Sequence, residues 1–272
     1  MNIATRILAA AMTIATTAAS AQDYPTRNIS MVVPLSAGGS ADVVGRLLAQ
    51  AMSESLGRAI VVENVSGAGG MLGASKIARA APDGYQILLG TVGTQAQNQT
   101  LYKAPLYDST KDFDAVGLAV DVPIILQAKK DFPGDRLSDV IAHVKANASK
   151  LSYGSPGAGS SNHLACVLFG AAIGADVVHV PYRASGELFQ DMITGRLDYW
   201  CPTSTAAATL GDQVKTVAAF SRERVPSLPN VPTANEAGLK DFEAGTWFGL
   251  FLPKGSPAAV IQKLNEALGK AL

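Results

Sequence analysis

The chain has 272 residues and carries 22 basic and 22 acidic side chains, so its formal net charge is zero. Apolar residues make up 48% of the sequence and charged residues only 16%, which is typical of a globular protein with a large core. No basic run or patch stands out in the sequence, so nucleic acid is not expected as a partner.

Residues 1–21 predict a secretory signal peptide. Arg6 supplies a positive start, residues 7–19 form a short apolar run, and Ala19-Ser20-Ala21 is an A-x-A cleavage site. The alternative, a membrane anchor, is disfavoured because the run is shorter than the roughly 20 residues that span a bilayer. No Cys directly follows the cleavage site, so lipid anchoring is not indicated. We expect cleavage after Ala21 and a periplasmic mature chain with 21 basic and 22 acidic residues.

Strands and helices alternate through the first half of the mature chain. The first strand runs into a loop of small residues, and a later glycine-rich turn opens another helix. Repeated strand-to-helix units predict a parallel sheet with helices on both faces. The predicted strands of this half are 29–33, 59–63 and 85–90, and the predicted helices are 41–56, which Gly57 ends, and one that starts in the turn at 66–75 and runs to residue 80.

An apolar stretch over 114–130 predicts a strand that crosses from one lobe to another. Beyond it the alternation resumes, and the last strand is expected to return to the first lobe. Residues 225–232 hold three prolines and predict an ordered but irregular loop. The predicted helices are 137–147, 185–194, 258–272 and two that start near residues 161 and 202, and the predicted strands are 176–180, 197–201, 215–220 and 247–252.

Two stretches, 29–46 and 151–163, share one local pattern: a short strand, a loop of small residues, and the start of a helix. We call them the first and second anion seats. Gly38 and Gly39 let a ligand approach the backbone closely, and Ser40 is a good capping residue. Unpaired first-turn N–H groups and the positive end of the helix dipole favour an anion there. Two such seats predict two lobes that face each other across a cleft.

The turn at 66–75 invites a dinucleotide interpretation, which fails. Gly67 and Gly69 are present, but Leu72 stands where the fingerprint needs its third Gly. The sequence also lacks a Gly-Lys-Ser/Thr run, so a nucleotide-binding P-loop is excluded. We therefore expect no cofactor.

Hydrolase chemistry is disfavoured as well. The sequence has no Gly-x-Ser-x-Gly nucleophile elbow. Ser160 and Ser161 lie beside His163 at one helix start, which is poor geometry for a base that addresses a nucleophile. We expect a protein that is not an enzyme.

Cys166 and Cys201 would lie in an oxidising compartment, where a disulfide can form, but their spacing alone cannot establish one. Two buried, unpaired apolar side chains are the arrangement that we favour. His143, His163 and His179 are scattered along the chain, and with the cysteines they make no metal-ligand pattern. No metal is expected.

Six motifs resemble the Bug-type substrate-binding receptors of tripartite tricarboxylate transporters. Any one motif is weak, but all six occur in the order that this family has them, and the similarity runs from about Tyr24 to the end. The motifs are Pro34-Leu-Ser-Ala-Gly-Gly-Ser-Ala-Asp42, Val62-Glu-Asn-Val-Ser-Gly-Ala-Gly-Gly70, Ala81-Pro-Asp-Gly-Tyr85, Tyr153-Gly-Ser-Pro-Gly-Ala-Gly159, Val178-His-Val-Pro-Tyr182, and Pro229-Asn-Val-Pro-Thr233 with Glu236-Ala-Gly238.

The resemblance implies an α/β protein with the two-lobed, type II periplasmic-binding-protein fold. Each lobe is expected to hold a mixed, mostly parallel sheet flanked by helices, with the ligand cleft between the lobes. Residues 22–122 and about 250–272 would form lobe 1, and residues 123–249 would form lobe 2. Family members continue with a further C-terminal segment, so lobe 1 is expected to lack its last part in this sequence.

In this family, main-chain N–H groups, hydroxyls and bridging waters hold the ligand's carboxylates. The ligand loops correspond here to both anion seats, the turn near residue 91 and the loop after the 197–201 strand. The predicted ligand-binding residues are Ser36, Ala37, Gly38, Gly39, Ser40, Asp42, Thr91, Gly93, Thr94, Ser155, Gly157, Ala158, Gly159, Ser160, His163, Tyr182 and Thr203.

Several side chains keep two interpretations. Ser40 either donates to a carboxylate or caps its helix, and both can hold. Asp42, as an anion, is expected to orient the loop or hold a water. His163 either donates to the ligand or is an ordinary surface histidine. Arg183 either pairs with a distal carboxylate or is a solvated charge.

At Pro202-Thr203 the chain departs from the family, where an Asp-Asn pair is common and an acidic residue can meet a ligand ammonium. The departure favours a ligand with a carboxylate and no amine. Trp200 is bulkier than usual for the family, and it either packs in the core or narrows the pocket and stacks on a ring.

The expected function is an extracytoplasmic solute-binding receptor. A monomer would capture a small carboxylate, a di- or tricarboxylate or an aromatic acid, for the membrane subunits of a tripartite tricarboxylate-type transporter. The alternative is a ligand-sensing module that reports to a membrane sensor, and an exported hydrolase is less favoured. The expected mechanism is closure of the two lobes around the ligand.

Overall fold

The computed structural model describes residues 24–272, where the chain forms two five-stranded sheets flanked by helices. The predicted signal peptide lies outside the described residues. None of the helices described is long and apolar enough to cross a membrane. The strands are β1 (Ile29–Val33), β2 (Ile60–Asn64), β3 (Gln86–Thr91), β4 (Phe113–Pro123), β5 (Ile125–Lys129), β6 (Ser152–Ser155), β7 (Val178–Pro181), β8 (Tyr199–Trp200), β9 (Val214–Ala219) and β10 (Gly245–Pro253). The helices are α1 (Ser40–Leu56), α2 (Met71–Ala78), α3 (Asn98–Leu101), α4 (Leu137–Asn147), α5 (Ser161–Ile173), α6 (Ser185–Ile193), α7 (Ser204–Leu210) and α8 (Ala258–Ala271).

The two sheets have matching topologies. One has the order β2-β1-β3-β10-β4 and the other the order β7-β6-β8-β5-β9. In each, three strands pair in parallel, and one strand runs antiparallel to both of its neighbours. Four of the five strands in each sheet therefore run the same way, as the mixed, mostly parallel prediction requires. We call the half built on the first sheet lobe 1 and the half built on the second lobe 2.

The chain passes between the lobes at two neighbouring places. Strand β4 ends in lobe 1 at Pro123 and β5 begins in lobe 2 at Ile125, so the predicted crossing within 114–130 is confirmed. The N–H of Ile124 donates to the carbonyl of Ala244, 3.3 Å away, where the chain returns toward β10. The two passages therefore lie side by side. The lobe boundaries predicted at 122/123 and 249/250 stay predictions, although β10 already starts in lobe 1 at Gly245.

Each lobe has its own hydrophobic core. In lobe 1, helix α8 buries Val260, Leu264 and Leu268 in the same cluster as Met52 of α1, as expected of an amphipathic helix on the face of a sheet. In lobe 2, the aromatic side chain of Phe169 on α5 is fully buried among strand residues. The proline-containing segment 225–232 forms neither helix nor strand, as predicted.

The prediction that the two cysteines are unpaired is wrong, because Cys166 and Cys201 form a disulfide with their Cα atoms 5.6 Å apart. Both residues are buried in the lobe 2 core, where α5 packs across the end of β8. The sequence separation of 35 residues carries no information about that packing. The bond ties the helix of the second anion seat to the segment that leads into α7.

Replacing both cysteines by alanine is expected to lower the free energy of unfolding by about 2–4 kcal/mol, because the unfolded chain then loses a cross-link that closes a long loop. Urea denaturation measures this change. Reducing agent should destabilise the natural chain similarly and leave the double variant unaffected. An unchanged urea midpoint in the double variant would contradict the prediction.

Candidate ligand-binding cleft

One cavity lies between the lobes, and its empty space is about 640 Å³ when the open solvent at its mouth is counted. Both lobes contribute to its wall, as the two-seat prediction requires. Lobe 1 contributes Leu35, Ser36, Gly39, Ser40, Ala41, Gly69, Thr91, Thr246 and Phe248. Lobe 2 contributes Pro156, Ser160, Ser161, Asn162, Ser185, Leu188, Phe189, Trp200, Thr203 and Ala206.

Four helices begin at this cavity. The first residues of α1, α5 and α6 line it, and so does Thr203, the N-cap of α7. Each of these helices directly follows a parallel strand, so the carboxyl ends of the strands place the helix starts there. First-turn N–H groups have no acceptor within their own helix and carry partial positive charge, which suits an anion.

Ser40 does not cap its helix. Gly39 occupies the N-cap position of α1, and no side chain caps that end. The Ser40 hydroxyl instead hydrogen-bonds the hydroxyl of Thr203 in lobe 2. The capping interpretation is therefore wrong, and the hydroxyl is directed across the cleft.

Asp42 stabilises the loop of the first anion seat through hydrogen bonds made away from the cavity. Its Oδ2 atom accepts the N–H of Gly38 at 2.9 Å and Nε of Arg46 at 3.0 Å. Burial alone would raise the pKa of Asp42, but the hydrogen bonds from Arg46 and Gly38 hold it below the usual value. Asp42 is not part of the cavity wall. The interpretation that it orients the loop is confirmed.

The second anion seat is built around Ser160, the N-cap of α5. Its Oγ accepts the N–H of His163 at 3.2 Å and donates to the carbonyl of Gly157 at 2.7 Å. Gly157 and Gly159 have φ angles of +127° and +82°, which L side chains rarely adopt. The loop is therefore tight, and its turn toward the cleft depends on these two glycines.

His163 lies behind this loop rather than on the cavity wall. Its Nδ1 atom accepts the N–H of Gly159 at 3.3 Å, and its ring centroid is 4.1 Å from that of His179. His179 in turn hydrogen-bonds Ser155 Oγ through Nε2 at 2.7 Å. Burial lowers the pKa of both rings, that of His179 to about 4. The imidazoles act here as supports of the loop.

Some of the other predicted ligand-binding residues line the cavity, and the rest stabilise the loops behind it. Thr94 is fully buried and accepts the N–H of Thr91 through its hydroxyl at 2.9 Å, so it shapes the turn without facing the cavity. Tyr182 donates its hydroxyl to Asp191 at 2.7 Å, and Arg183 is exposed. The predicted residues that line the cavity are Ser36, Gly39, Ser40, Thr91, Ser160 and Thr203. Those that do not are Ala37, Gly38, Asp42, Gly93, Thr94, Ser155, Gly157, Ala158, Gly159, His163 and Tyr182.

The structure adds wall residues that the sequence interpretation missed. Ser185 opens α6 shortly after the end of β7, but the loop before it contains Tyr182 and Arg183, so the small-residue pattern that predicted the two seats did not include it. Thr246 and Phe248 come from β10, which reaches the cleft only through long-range pairing with β3 and β4. The sequence predicts that Trp200 either packs in the core or narrows the pocket. It does both, because it is 3% exposed and also lines the cavity.

The lobes are in direct contact around the cavity. Hydroxyl pairs join Ser36 to Ser185 and Ser161 to Thr246, each at 3.0 Å. The hydroxyl of Tyr102 donates to the carbonyl of Ala158 at 3.0 Å. The cleft is therefore closed in this conformation, with lobe-to-lobe hydrogen bonds that are mostly between neutral hydroxyls.

The glycine-rich turn at 66–75 is part of this contact. Gly69 has a φ angle of +60°, and a Cβ atom there would lie 2.5 Å from the carbonyl oxygen of Ala158 and 2.9 Å from the carbonyl carbon of Gly159. Gly93 likewise approaches the carbonyl of Gly159. These glycines let the backbones of the two lobes meet, which accounts for the motif without a nucleotide.

The cavity combines neutral hydrogen-bonding groups with an apolar surface. Within residues 24–272, none of the side chains that line it is charged. No group of three or more His, Cys, Asp or Glu residues that could hold a metal ion occurs in this part of the chain. A closed cleft between two matching α/β lobes, lined by helix starts, defines the class of two-lobed solute-binding proteins.

Comparison with known proteins identifies the family. The sequence model of the family described as tripartite tricarboxylate transporter family receptor matches residues 44–272, and the chain belongs to this family. It is 41% identical over 257 residues to the UPF0065 protein in the TAR-I ttuE-ttuC' intergenic region of Agrobacterium vitis, with 93% of this chain and 74% of the relative covered. The predicted resemblance is confirmed.

Solved structures agree with this assignment. The periplasmic binding protein BugD is 40% identical, with a TM-score of 0.87 over 91% of this chain and 83% of that one. MatC (Rpa3494) from Rhodopseudomonas palustris, solved with bound malate, is 37% identical, with a TM-score of 0.87 over 91% and 85%. The predicted two-lobed fold is confirmed, and the family consists of periplasmic solute-binding proteins rather than enzymes.

Substituting Gly69 by alanine is expected to open the cleft, because the added Cβ would collide with Ala158. Small-angle X-ray scattering should show a larger radius of gyration than in the natural chain. Gly57→Ala is the matched control, since Gly57 has a similar φ of +66° but no atom within 4 Å of its Cβ position. Both variants should lose about 1–2 kcal/mol to left-handed strain. Equal radii in the two variants would contradict the role of Gly69.

The free energy of unfolding is expected to fall as the pH is lowered from 6.5, the ordinary pKa of histidine, to about 4, the pKa of His179 in the folded protein. Across this window the unfolded chain binds more protons than the folded one, so protonation favours unfolding. Thermal unfolding as a function of pH measures the effect. His179→Gln, which can keep a hydrogen bond to Ser155, should flatten the profile between these values. A profile as steep as that of the natural chain would refute the assignment.

Proposed function

We propose that the protein captures a small carboxylate in the cleft and delivers it to the membrane subunits of a tripartite tricarboxylate-type transporter. The observation that carries the proposal is the convergence of helix starts from both lobes on a cavity lined by hydroxyls and no charged side chain. Membership of the receptor family supports the transporter as the destination. The predicted signal peptide supports delivery in the periplasm.

A carboxylate suits this cavity because its oxygens are hydrogen-bond acceptors and the wall is rich in donors. The N–H groups of Ser161 and Asn162 in the first turn of α5, and those at the start of α1, have no acceptor within their helices. The hydroxyls that now pair across the cleft can also rotate to donate to a ligand. An ammonium group, in contrast, would meet no carboxylate among the described wall residues, which agrees with Pro202-Thr203 at the family's Asp-Asn position.

Ligand binding is expected to be coupled to closure of the lobes. A carboxylate held by α1 of lobe 1 and α5 of lobe 2 makes contacts in the closed state that the open state cannot make. The ligand therefore shifts the population toward the closed form by its difference in affinity for the two states. The side-by-side passages at Ile124 and Ala244 are the hinge in this scheme.

A panel of malate, citrate and benzoate tests the proposal by thermal unfolding, and native mass spectrometry of fresh protein looks for a co-purified acid. At least one carboxylate is expected to stabilise the protein, by about 2.7 kcal/mol at a hundred times its Kd. Ser161→Ala should weaken binding of that acid about tenfold by removing a donor at the cavity. Ser138→Ala, at the exposed start of α4, is the matched control.

Two outcomes would contradict the proposal. The first is that neither the panel nor native mass spectrometry reveals any bound acid. The second is product formation from an ester substrate, which would show turnover instead of capture.

A further inference from the structure

The wall of the cavity contains a continuous apolar surface. Leu188, Trp200 and Ala206 belong to one hydrophobic cluster in lobe 2, against which Phe189 packs. The rings of Phe189 and Trp200 meet edge to face, with centroids 5.5 Å apart. Lobe 1 adds the buried ring of Phe248. A large part of any enclosed ligand therefore faces carbon atoms rather than hydrogen-bond donors.

Trp200 contributes its ring and not its N–H group to this surface. Its Nε1 atom donates to Oε1 of Gln127 at 3.0 Å. Gln127 is fully buried, and its amide nitrogen donates to the carbonyl of Ala207 at 3.1 Å and to the hydroxyl of Thr216 at 3.0 Å. Every polar atom of this network is satisfied within lobe 2. The indole is held in place, and breaking its hydrogen bond to serve a ligand would leave the buried Oε1 atom of Gln127 unpaired.

The polar part of the wall, at the helix starts, can hold a carboxylate through neutral donors. A carboxylate that lay against the Phe189 and Trp200 rings would be desolvated there, and no charged side chain among the described wall residues could compensate it. An ammonium group would suffer the same penalty. An uncharged apolar group would instead gain by burial against these rings.

We propose that the ligand is a monocarboxylate with an uncharged aryl group, which packs against Phe189 and Trp200 while its carboxylate lies at the helix starts. This proposal rests on the proposed function and specifies its substrate class. It separates this protein from a receptor selective for dicarboxylates. Phenylacetate is a suitable probe, because one methylene joins its ring to its carboxylate.

Calorimetry on protein freed of co-purified ligand tests the proposal with four probes. Phenylacetate is expected to bind about tenfold or more tightly than phenylacetamide, which has no charge, than phenylalanine, which adds an ammonium, and than adipate, which has a second carboxylate and no ring. Adipate binding as tightly as phenylacetate would overturn the proposal and leave the carboxylate receptor intact. If no carboxylate binds, the proposed function fails as well.

Two variants test the contact itself. Phe189→Ala should weaken phenylacetate binding about tenfold and adipate binding much less, because only the aryl ligand loses a ring contact. Phe251→Ala removes a ring of similar exposure that packs near Trp247 outside the cavity wall, and it controls for a general loss of packing. Equal weakening of phenylacetate by both variants would refute the assignment.

Tryptophan fluorescence can report an aryl ligand beside Trp200 while the residues of the cavity wall stay unchanged. The chain has two tryptophans, so Trp247→Phe leaves Trp200 as the only indole. Phenylacetate at saturation should shift or quench its emission, whereas Trp200→Phe, which leaves Trp247, should respond much less. Binding of phenylacetate without any change in Trp200 emission would show that the ring lies elsewhere.

Discussion

First-turn N–H groups at the starts of four helices meet in one cleft, and the rest of the structure depends on keeping them there. Each of these helices follows one of the strands that pair in parallel, so each sheet delivers its helix starts at one edge. The two sheets have matching topologies, and the chain passes between them at adjoining positions. One cavity thereby receives partial positive charge from both sides without a single charged side chain in its described wall.

Contacts within each lobe hold the cavity wall in place. Asp42 fastens the first anion seat through Gly38, while Ser160 and the paired histidines fasten the second. The disulfide and the hydrogen bond from Asn162 to the carbonyl of Cys201 at 2.8 Å join α5 to the segment before α7. Each of these contacts lies within one lobe. They can therefore stay unchanged while the lobes move relative to each other.

Contact between the lobes, unlike the contacts within each lobe, relies on neutral hydroxyl pairs and close approach of glycine backbones. Hydroxyl pairs and glycine backbones make up much of it around the cavity, and a neutral hydrogen bond contributes only about 0.5–1.5 kcal/mol net. A closed state held this weakly can be opened at small cost, so a ligand that touches both lobes can decide the balance. The apolar surface at Phe189 and Trp200 adds selectivity, because burial there favours an uncharged group.

The sequence by itself determined what depends on neighbouring residues. Strand and helix periodicity, the small-residue loops within 29–46 and 151–163, and the order of six motifs were enough to predict both lobes and both anion seats. The predicted site residues cluster around the cavity, but several of them support its wall instead of forming it, as His163 and Asp42 show. A linear motif cannot distinguish the two roles, since both require the same loop.

Only the tertiary structure decided the disulfide, part of the cavity wall and the glycine contact between the lobes, because these features depend on contacts between residues far apart in the chain. The disulfide exists because α5 packs across the end of β8, and the 35-residue separation does not reveal this. Thr246 and Phe248 reach the cavity through the pairing of β10 with β3 and β4. Gly69 meets Ala158 across the contact between the two lobes. Such long-range packing leaves no periodic signal in the sequence, so its consequences appear only in the folded molecule.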